Sequence, residues 1–286
     1  MIHAEPGLFL RFEPAAPAIP LVVDVSRSGR EYPPEYRSPL PFTTVHDNVS
    51  MYVDDLWTGT PAAGGTLLYA CFPNTWVDVN RNEADMDPAV VDGTWPHPLK
   101  PTARTLEGLG LIKTKSRYGE PFQERRLTVA EIEERLARWY RPYHAELKRI
   151  VEDLHARHGV VRQISCHCMS AVGAPTHPDA GKPRADFCVS DLRGRTSSPA
   201  FMALIADTLR SMGYSVGIND PYVGNELIAR HGNPSRCVDS VQVEINKKLF
   251  MDTKTFRATD GLAKVKVDLD RLLAVVAADT LKRCGL

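Results

Sequence analysis

Nowhere in the 286 residues does an apolar run approach the roughly 20 needed to cross a bilayer, so no membrane helix is expected. The six cysteines, Cys71, Cys166, Cys168, Cys188, Cys237 and Cys284, contain no CxxC pair and no regular spacing. Reduced thiols in a cytoplasmic protein are therefore expected, and a structural zinc knot is not. Charge of neither sign is in excess: 35 basic residues face 35 acidic ones, which removes the positive field that non-specific nucleic-acid or anionic-membrane binding needs. The first residues, through Glu5, Pro6, Glu13 and Pro14, lack a basic start followed by an apolar core, so export is not expected. Internal repeats and low-complexity linkers are missing too, and residues 1–286 are expected to form one domain.

What is present is an ordinary globular composition, 43% hydrophobic and 24% charged, able to bury a substantial core. Short apolar runs at residues 19–25, 66–71, 160–166, 214–218 and 238–245 read as strands. The first halts at Ser26, Arg27, Ser28 and Gly29, a tight loop at a strand end, where α/β proteins place their sites. Helical patterns lie between several of these runs. The predicted fold class is α/β, a mixed sheet with helices on both faces.

The clearest helix begins at Thr128, which forms a capping-box pattern with Glu131. Val129, Ile132, Leu136, Trp139, Tyr143, Leu147, Ile150 and Leu154 then recur at three or four residues, with Pro142 predicted to kink or split the helix. A second helix is framed by Ser198-Pro199 and Gly213, and a third is predicted over about residues 265–282. Residues 85–118 and 170–186, crowded with Pro and Gly, read as long loops of the kind that form lids or binding loops.

Four segments could carry chemistry. Val77-Asp78-Val79-Asn80-Arg81-Asn82 sets an amide beside a guanidinium, a pair able to grip and orient a carboxylate, or to make a surface salt bridge with a capping Asn. Ile164-Ser165-Cys166-His167-Cys168-Met169 ends a strand with an imidazole at the lip of a proline-rich loop. That His can hold a metal, move a proton or satisfy a turn. The two flanking cysteines should share the opposite face, where buried inert thiols are expected rather than a Cys/His dyad. Val241-Gln242-Val243-Glu244-Ile245 places a carboxylate in an apolar strand, where it needs a partner or a task. Asn219-Asp220-Pro221-Tyr222 reads only as a turn.

Taken in order, PLVVDVSRSGREYP, WVDVNRNEADMDP, LGLIKTK, RWYRPYHAEL, ISCHCMS, VSDLRGRTS, GYSVGINDPYVGNELIARHG and VQVEINKKLFMD resemble the N-formylglutamate amidohydrolase (N-formylglutamate deformylase) family, from about residue 18 to about residue 255. The resemblance implies a zinc-carboxypeptidase-like (phosphorylase/hydrolase-like) fold with its site at the carboxyl ends of the strands. It also implies a divalent metal such as zinc that activates water against a formamide. Of the three metal ligands it implies, only His167 is kept; Arg27 stands at the first His position and Ser50 at the Asp position. His46 and Asp47, three to four residues before Ser50, would share a helix face with it and could substitute. Val223, Asp239 and Cys168 also depart from the family pattern, whereas Asn80, Arg81, Asp191, Asn219, Tyr222, Arg230 and Glu244 match it.

These matches imply catalysis by Glu244 as general base with Arg27 and His167. Asn80, Arg81, Asn219, Tyr222 and Arg230 are implied to bind a small carboxylate-bearing amino-acid derivative, with any metal bound weakly or not at all. The expected activity is hydrolysis of the amide of an N-formyl or N-acyl amino acid. The alternative is a metal-free binding or regulatory protein on the same scaffold, in which Arg27 pairs with Glu244. A Cys168-dependent amide hydrolysis is a third, less supported reading.

Overall fold

Alternation along the strands decides which side chains meet. In Leu21-Val22-Val23-Asp24-Val25, odd positions turn one way and even positions the other, and the same holds in residues 161–169 and 238–246. The computed structural model describes residues 1–175 and 177–284. Its strands are β1 (Ile2–Glu5), β2 (Phe9–Phe12), β3 (Leu21–Val25), β4 (Thr66–Ala70), β5 (Val91–Asp92), β6 (Leu127–Thr128), β7 (Val161–Met169), β8 (Phe187–Ser190), β9 (Val216–Ile218) and β10 (Val238–Asn246). One sheet has the order β1-β2-β4-β3-β7-β10-β8-β9, and β5 pairs separately with β6. The four central strands β4, β3, β7 and β10 run parallel, so their carboxyl ends open together along one edge.

On one face, Leu21, Val23, Val25, Ile164, Cys166, Val241, Val243 and Ile245 pack with Phe201, Ile205 and Leu209 of helix Pro199–Ser211 and with Leu269, Leu272 and Val276 of helix Gly261–Arg283. On the other, Val22, Leu68, Ala70, Val161 and Val238 lie under Tyr143, Leu147, Ile150 and Leu154 of helix Arg141–His158. Each such aliphatic side chain, fully buried, contributes about 1.5–3 kcal/mol relative to exposure. Helices thus cover both faces. No described helix is long and apolar enough to cross a membrane.

The expected caps form. Thr128 accepts from the Glu131 amide at 3.2 Å while the Glu131 carboxylate accepts from the Thr128 amide at 2.8 Å. Ser198 caps its helix by accepting from the Phe201 amide at 3.3 Å. Pro142 splits the long helix: Val129–Arg135 passes into a π-turn at Leu136–Tyr140 before Arg141–His158 resumes. The wider turn accommodates a residue that lacks an N–H and crowds the preceding turn.

Several boundaries differ from expectation. β7 continues through Met169, so His167 lies inside a strand rather than at its lip. The last helix starts at Gly261, before the expected 265. The strand expected over 214–218 is only Val216–Ile218, at the sheet edge. β1, β2, β5, β6 and β8 were not expected: β1 is exposed along its length and so shows no alternation, β5 and β6 have two residues each, and β8 has only four, emerging from a Pro/Gly-rich loop. Residues 42–46 form a short helix, Phe42–His46, which ends before Ser50. The helical spacing that would have set His46 and Asp47 on one face with Ser50 therefore does not exist.

Candidate active site

The face of the central strands turned away from the first apolar layer becomes polar toward its carboxyl end. Asp24 on β3, Gln163, Ser165 and His167 on β7, and Ser240, Gln242 and Glu244 on β10 all point that way and are all buried. Parallel register sets Asp24 beside Ser165, Ser165 beside Gln242, and His167 beside Glu244. A burial of this many polar groups requires that they satisfy one another. Asp24 accepts from Ser165 Oγ and from Gln163 Nε2, each at 2.9 Å, and Ser240 Oγ donates to Gln163 Oε1. Burial, only partly offset by those bonds, pushes the Asp24 carboxyl up to about 7.

His167 sits in the middle of this network. Asn80 Nδ2 donates to its Nε2 at 3.3 Å and to Gln242 Oε1 at 3.0 Å, and Ser165 Oγ lies 3.2 Å from the same Nε2. A neutral imidazole that accepts at Nε2 carries its proton on Nδ1, which here is buried with no hydrogen-bond partner among the described residues. Burial, with the Arg27 and Lys113 charges, holds the His167 pKa well below its ordinary value. Asn80 is fully engaged, because its Oδ1 also accepts from the Leu227 amide at 3.1 Å.

The loop after β3 brings Arg27 over this floor. Gly29 is required there: a Cβ on it would lie 2.2 Å from the Phe72 carbonyl oxygen, so only glycine lets the loop lie against the end of β4. The Ser50 amide donates to the Arg27 carbonyl at 2.8 Å, and Ser28 Oγ donates to the Ser50 carbonyl at 2.6 Å, which joins the two segments expected to meet. The Arg27 guanidinium does not pair with Glu244, as one reading of the sequence had it. It grips Asp78, with Nε to Oδ1 at 3.1 Å and Nη2 to Oδ2 at 2.6 Å. Lys113 Nζ lies 3.8 Å from Asp78 Oδ2. Burial alone would raise Asp78, but Arg27, Lys113 and Arg81 outweigh it and hold its carboxyl below the usual range.

Above them opens a cleft of about 590 Å³, walled by Arg27, Ser50, Asp78, Asn80, Arg81, Lys113, Cys168, Tyr222, Gln242 and Glu244 among others. Glu244 is 4% exposed and accepts from Gln242 Nε2 at 2.9 Å. Burial raises its carboxyl to about 7, against the opposing pull of Arg27 and Arg184. Arg81 Nε is buried without a hydrogen-bond partner among the described residues, and Nη1 makes an ion pair with Asp85 Oδ2 at 3.6 Å. Tyr222 follows a cis Asp220–Pro221 peptide bond, and its hydroxyl accepts from Arg184 Nη1 at 3.0 Å.

Not every expected residue reaches the cleft wall. Asn219 spends its amide on Asp191, with Nδ2 to Oδ1 at 2.9 Å, and on the Asp191 and Arg193 amides, so it ties a loop rather than facing the cavity. Arg230 is paired with Glu226 at 2.6 Å and donates to Tyr140 Oη at 3.2 Å, also off the wall. Cys168 lines the cleft, but burial raises its thiol, which makes it a poor nucleophile. The residues missed were Asp78 and Lys113. Both lie inside the family-like segments WVDVNRNEADMDP and LGLIKTK, but only tertiary contact reveals that one carboxylate serves two cations.

The model of the N-formylglutamate amidohydrolase family matches residues 19–251. The chain belongs to the N-formylglutamate amidohydrolase family. It is 36% identical to the N-formylglutamate amidohydrolase of Ralstonia eutropha JMP134, whose crystal structure superposes with a TM-score of 0.91 over 98% of this chain and 100% of that one. A gene product of Agrobacterium tumefaciens shares the fold at 16% identity, with a TM-score of 0.71 over 96% of each chain. Comparison with curated proteins finds no match. The zinc-carboxypeptidase-like mixed α/β architecture expected from the sequence is thereby borne out.

The side chains at the positions that the sequence resemblance assigns to a metal do not make a donor set for a divalent cation. His167 offers one orphaned ring nitrogen. Beside it stands a guanidinium that is always charged, with a serine whose backbone is tied to that loop. Asp47 is engaged by Tyr118 Oη at 2.9 Å and by Arg117 at 3.3 Å, and His46 by Tyr32 at 3.1 Å. Among the described residues, no group of three or more His, Cys, Asp or Glu side chains is placed to hold a metal ion.

Proposed function

We propose that this amidohydrolase cleaves the amide of an N-formyl or N-acyl amino acid with a cationic site in place of the metal centre. The observation that carries the reading is Glu244: a buried carboxyl poised near neutrality on the floor of a cleft that also presents Arg27 and Arg81. The substrate carboxylate docks on Arg81, whose Nε has no hydrogen-bond partner among the described residues and whose ion pair with Asp85 is 3.6 Å long, so its N–H groups can turn to a bidentate contact. Asn80 stands in the wall with its own amide fully engaged, so it steadies the wall rather than binding substrate. Glu244 takes a proton from water as the water oxygen attacks the acyl carbon, a contribution of about 10²–10⁴ in rate. Arg27 keeps Nη1 outside its contact with Asp78, and that N–H faces the developing oxyanion, a role worth about 10²–10³.

The test is release of formate from N-formyl amino acids by the purified protein, with Glu244→Gln as control. Turnover that vanishes in the variant supports the reading; turnover unchanged in it refutes it.

A second reading is favoured by one observation, the two-bond grip of Asp78 on Arg27, which stabilises the ground state of the guanidinium. On that reading the chain binds the same carboxylate ligand without cleaving it. Binding of N-formyl amino acids with no product in the wild type, joined by metal uptake and deformylation in Arg27→His with Ser50→Asp, would decide for it.

A further inference from the structure

An amide does not cleave when water adds to it; it cleaves when the nitrogen leaves with a proton. The cleft has to supply that proton, and its lining residues differ in their ability to do so. Arginines do not release one. Tyr222 is held by Arg184 and has its pKa raised by burial. His177 lies between two guanidiniums, Arg104 at 2.9 Å and Arg184 at 2.8 Å, and burial together with those charges lowers it to about 4. Lys247 is spent on Asp47, donating to its carbonyl oxygen at 3.1 Å.

Lys113 is differently placed. Its side chain lines the cleft, is 7% exposed, and shares Asp78 with Arg27: Arg27 Nη2 bonds Oδ2 at 2.6 Å and Lys113 Nζ lies 3.8 Å from the same oxygen, so one carboxylate fixes both cations. The Asn74 carboxamide satisfies both its neighbours when its oxygen faces Lys113 Nζ at 2.5 Å and its nitrogen faces the Asn48 carbonyl at 3.0 Å, which orients the ammonium.

We infer that Lys113 is the proton donor to the leaving nitrogen, a further catalytic residue of the hydrolase proposed above. This rests on that reading. Water oxygen bonds to the acyl carbon while Glu244 takes one of its protons and the carbonyl electron pair moves to oxygen beside Arg27. On collapse that pair re-forms the carbonyl and the C–N bond breaks. Its electrons stay on nitrogen, which takes a proton from Lys113 Nζ. The proton held by Glu244 then returns to the neutral Lys113 amine through cleft water, and a carboxylic acid and an amine depart. The groups facing Lys113 are Asp78, which favours its ammonium, and Arg27, Arg81 and Arg104, which with burial disfavour it and bring its pKa down to about 7. His167, also close enough to feel the Lys113 charge, stays neutral.

The experiment compares an N-formyl amino acid with the matching O-formyl hydroxy acid, whose alkoxide leaves with far less need of a proton. Lys113→Met is expected to lose about 10²–10⁴ in kcat on the amide and less than about tenfold on the ester. In Lys113→Arg, residual amide turnover should lose the fall that the wild type shows above neutral pH. ¹⁵N NMR of the lysine side chains should show one amine titrating near 7 in the wild type and missing from both variants. Equal losses on amide and ester, or a Lys113 that titrates above 10, overturn the donor role alone. A wild type that turns over neither substrate overturns the hydrolase reading and this role with it.

Discussion

Asp78 holds Arg27 by two parallel hydrogen bonds, at 3.1 and 2.6 Å, from a position with no solvent exposure. A buried carboxylate stripped from its cations leaves uncompensated charge behind. Asp78→Ala should therefore destabilise the fold by about 3–5 kcal/mol in denaturant unfolding. Arg27→Met should cost less, because Lys113 remains near Asp78. Equal effects would mean that Lys113 does not compensate Asp78.

Glu244 should illustrate the opposition of function and stability. Its carboxyl rises from an ordinary 4.5 to about 7 on folding, so the folded chain holds a proton that the unfolded chain releases. Its burial is therefore uncostly below about pH 4.5, and stability is lost as pH rises from there through about 7. Glu244→Gln keeps the oxygen that accepts from Gln242 and removes the charge. The variant should be more stable than wild type at pH 8 by roughly 2–3 kcal/mol, with the gain fading by about pH 4, while hydrolysis falls by at least about 10²-fold. Urea unfolding at the two pH values measures the first part.

Arg81→Met should raise KM for N-formyl amino acids by about 10²-fold with a smaller change in kcat, since a carboxylate grip holds substrate and transition state alike. A drop confined to kcat would instead place Arg81 at the reacting carbonyl.

Thr128→Ala removes one half of the capping box and should cost about 0.5–2 kcal/mol without altering catalysis. Thermal unfolding and formate release, measured on the same sample, separate the two effects.

Much of this was legible in the residues. The period-two alternation in Ile164-Ser165-Cys166-His167 and in Val241-Gln242-Val243-Glu244 fixes which side chains share the polar face, and the capping residues mark their helices. What stayed hidden depends on contacts between distant segments. Nothing local distinguishes Lys113 from a surface lysine until the loop that carries it folds against Asp78. Asn219 matches the family in sequence, yet its side chain is spent on Asp191, a neighbour that motif order does not reveal, whereas Arg230 is spent on Glu226 one helical turn before it, a spacing that the sequence does carry. The shared helical face expected of His46, Asp47 and Ser50 is missing because the helix stops at His46.

The proposed amide hydrolysis needs no metal, because Arg27 and Arg81 face the cleft where a cation would act. Its most direct test is formate release from N-formyl-L-glutamate before and after exhaustive chelation, with added zinc as the final arm. The expected result is turnover that chelation leaves unchanged and zinc does not raise. Turnover abolished by chelation and restored by zinc would contradict it.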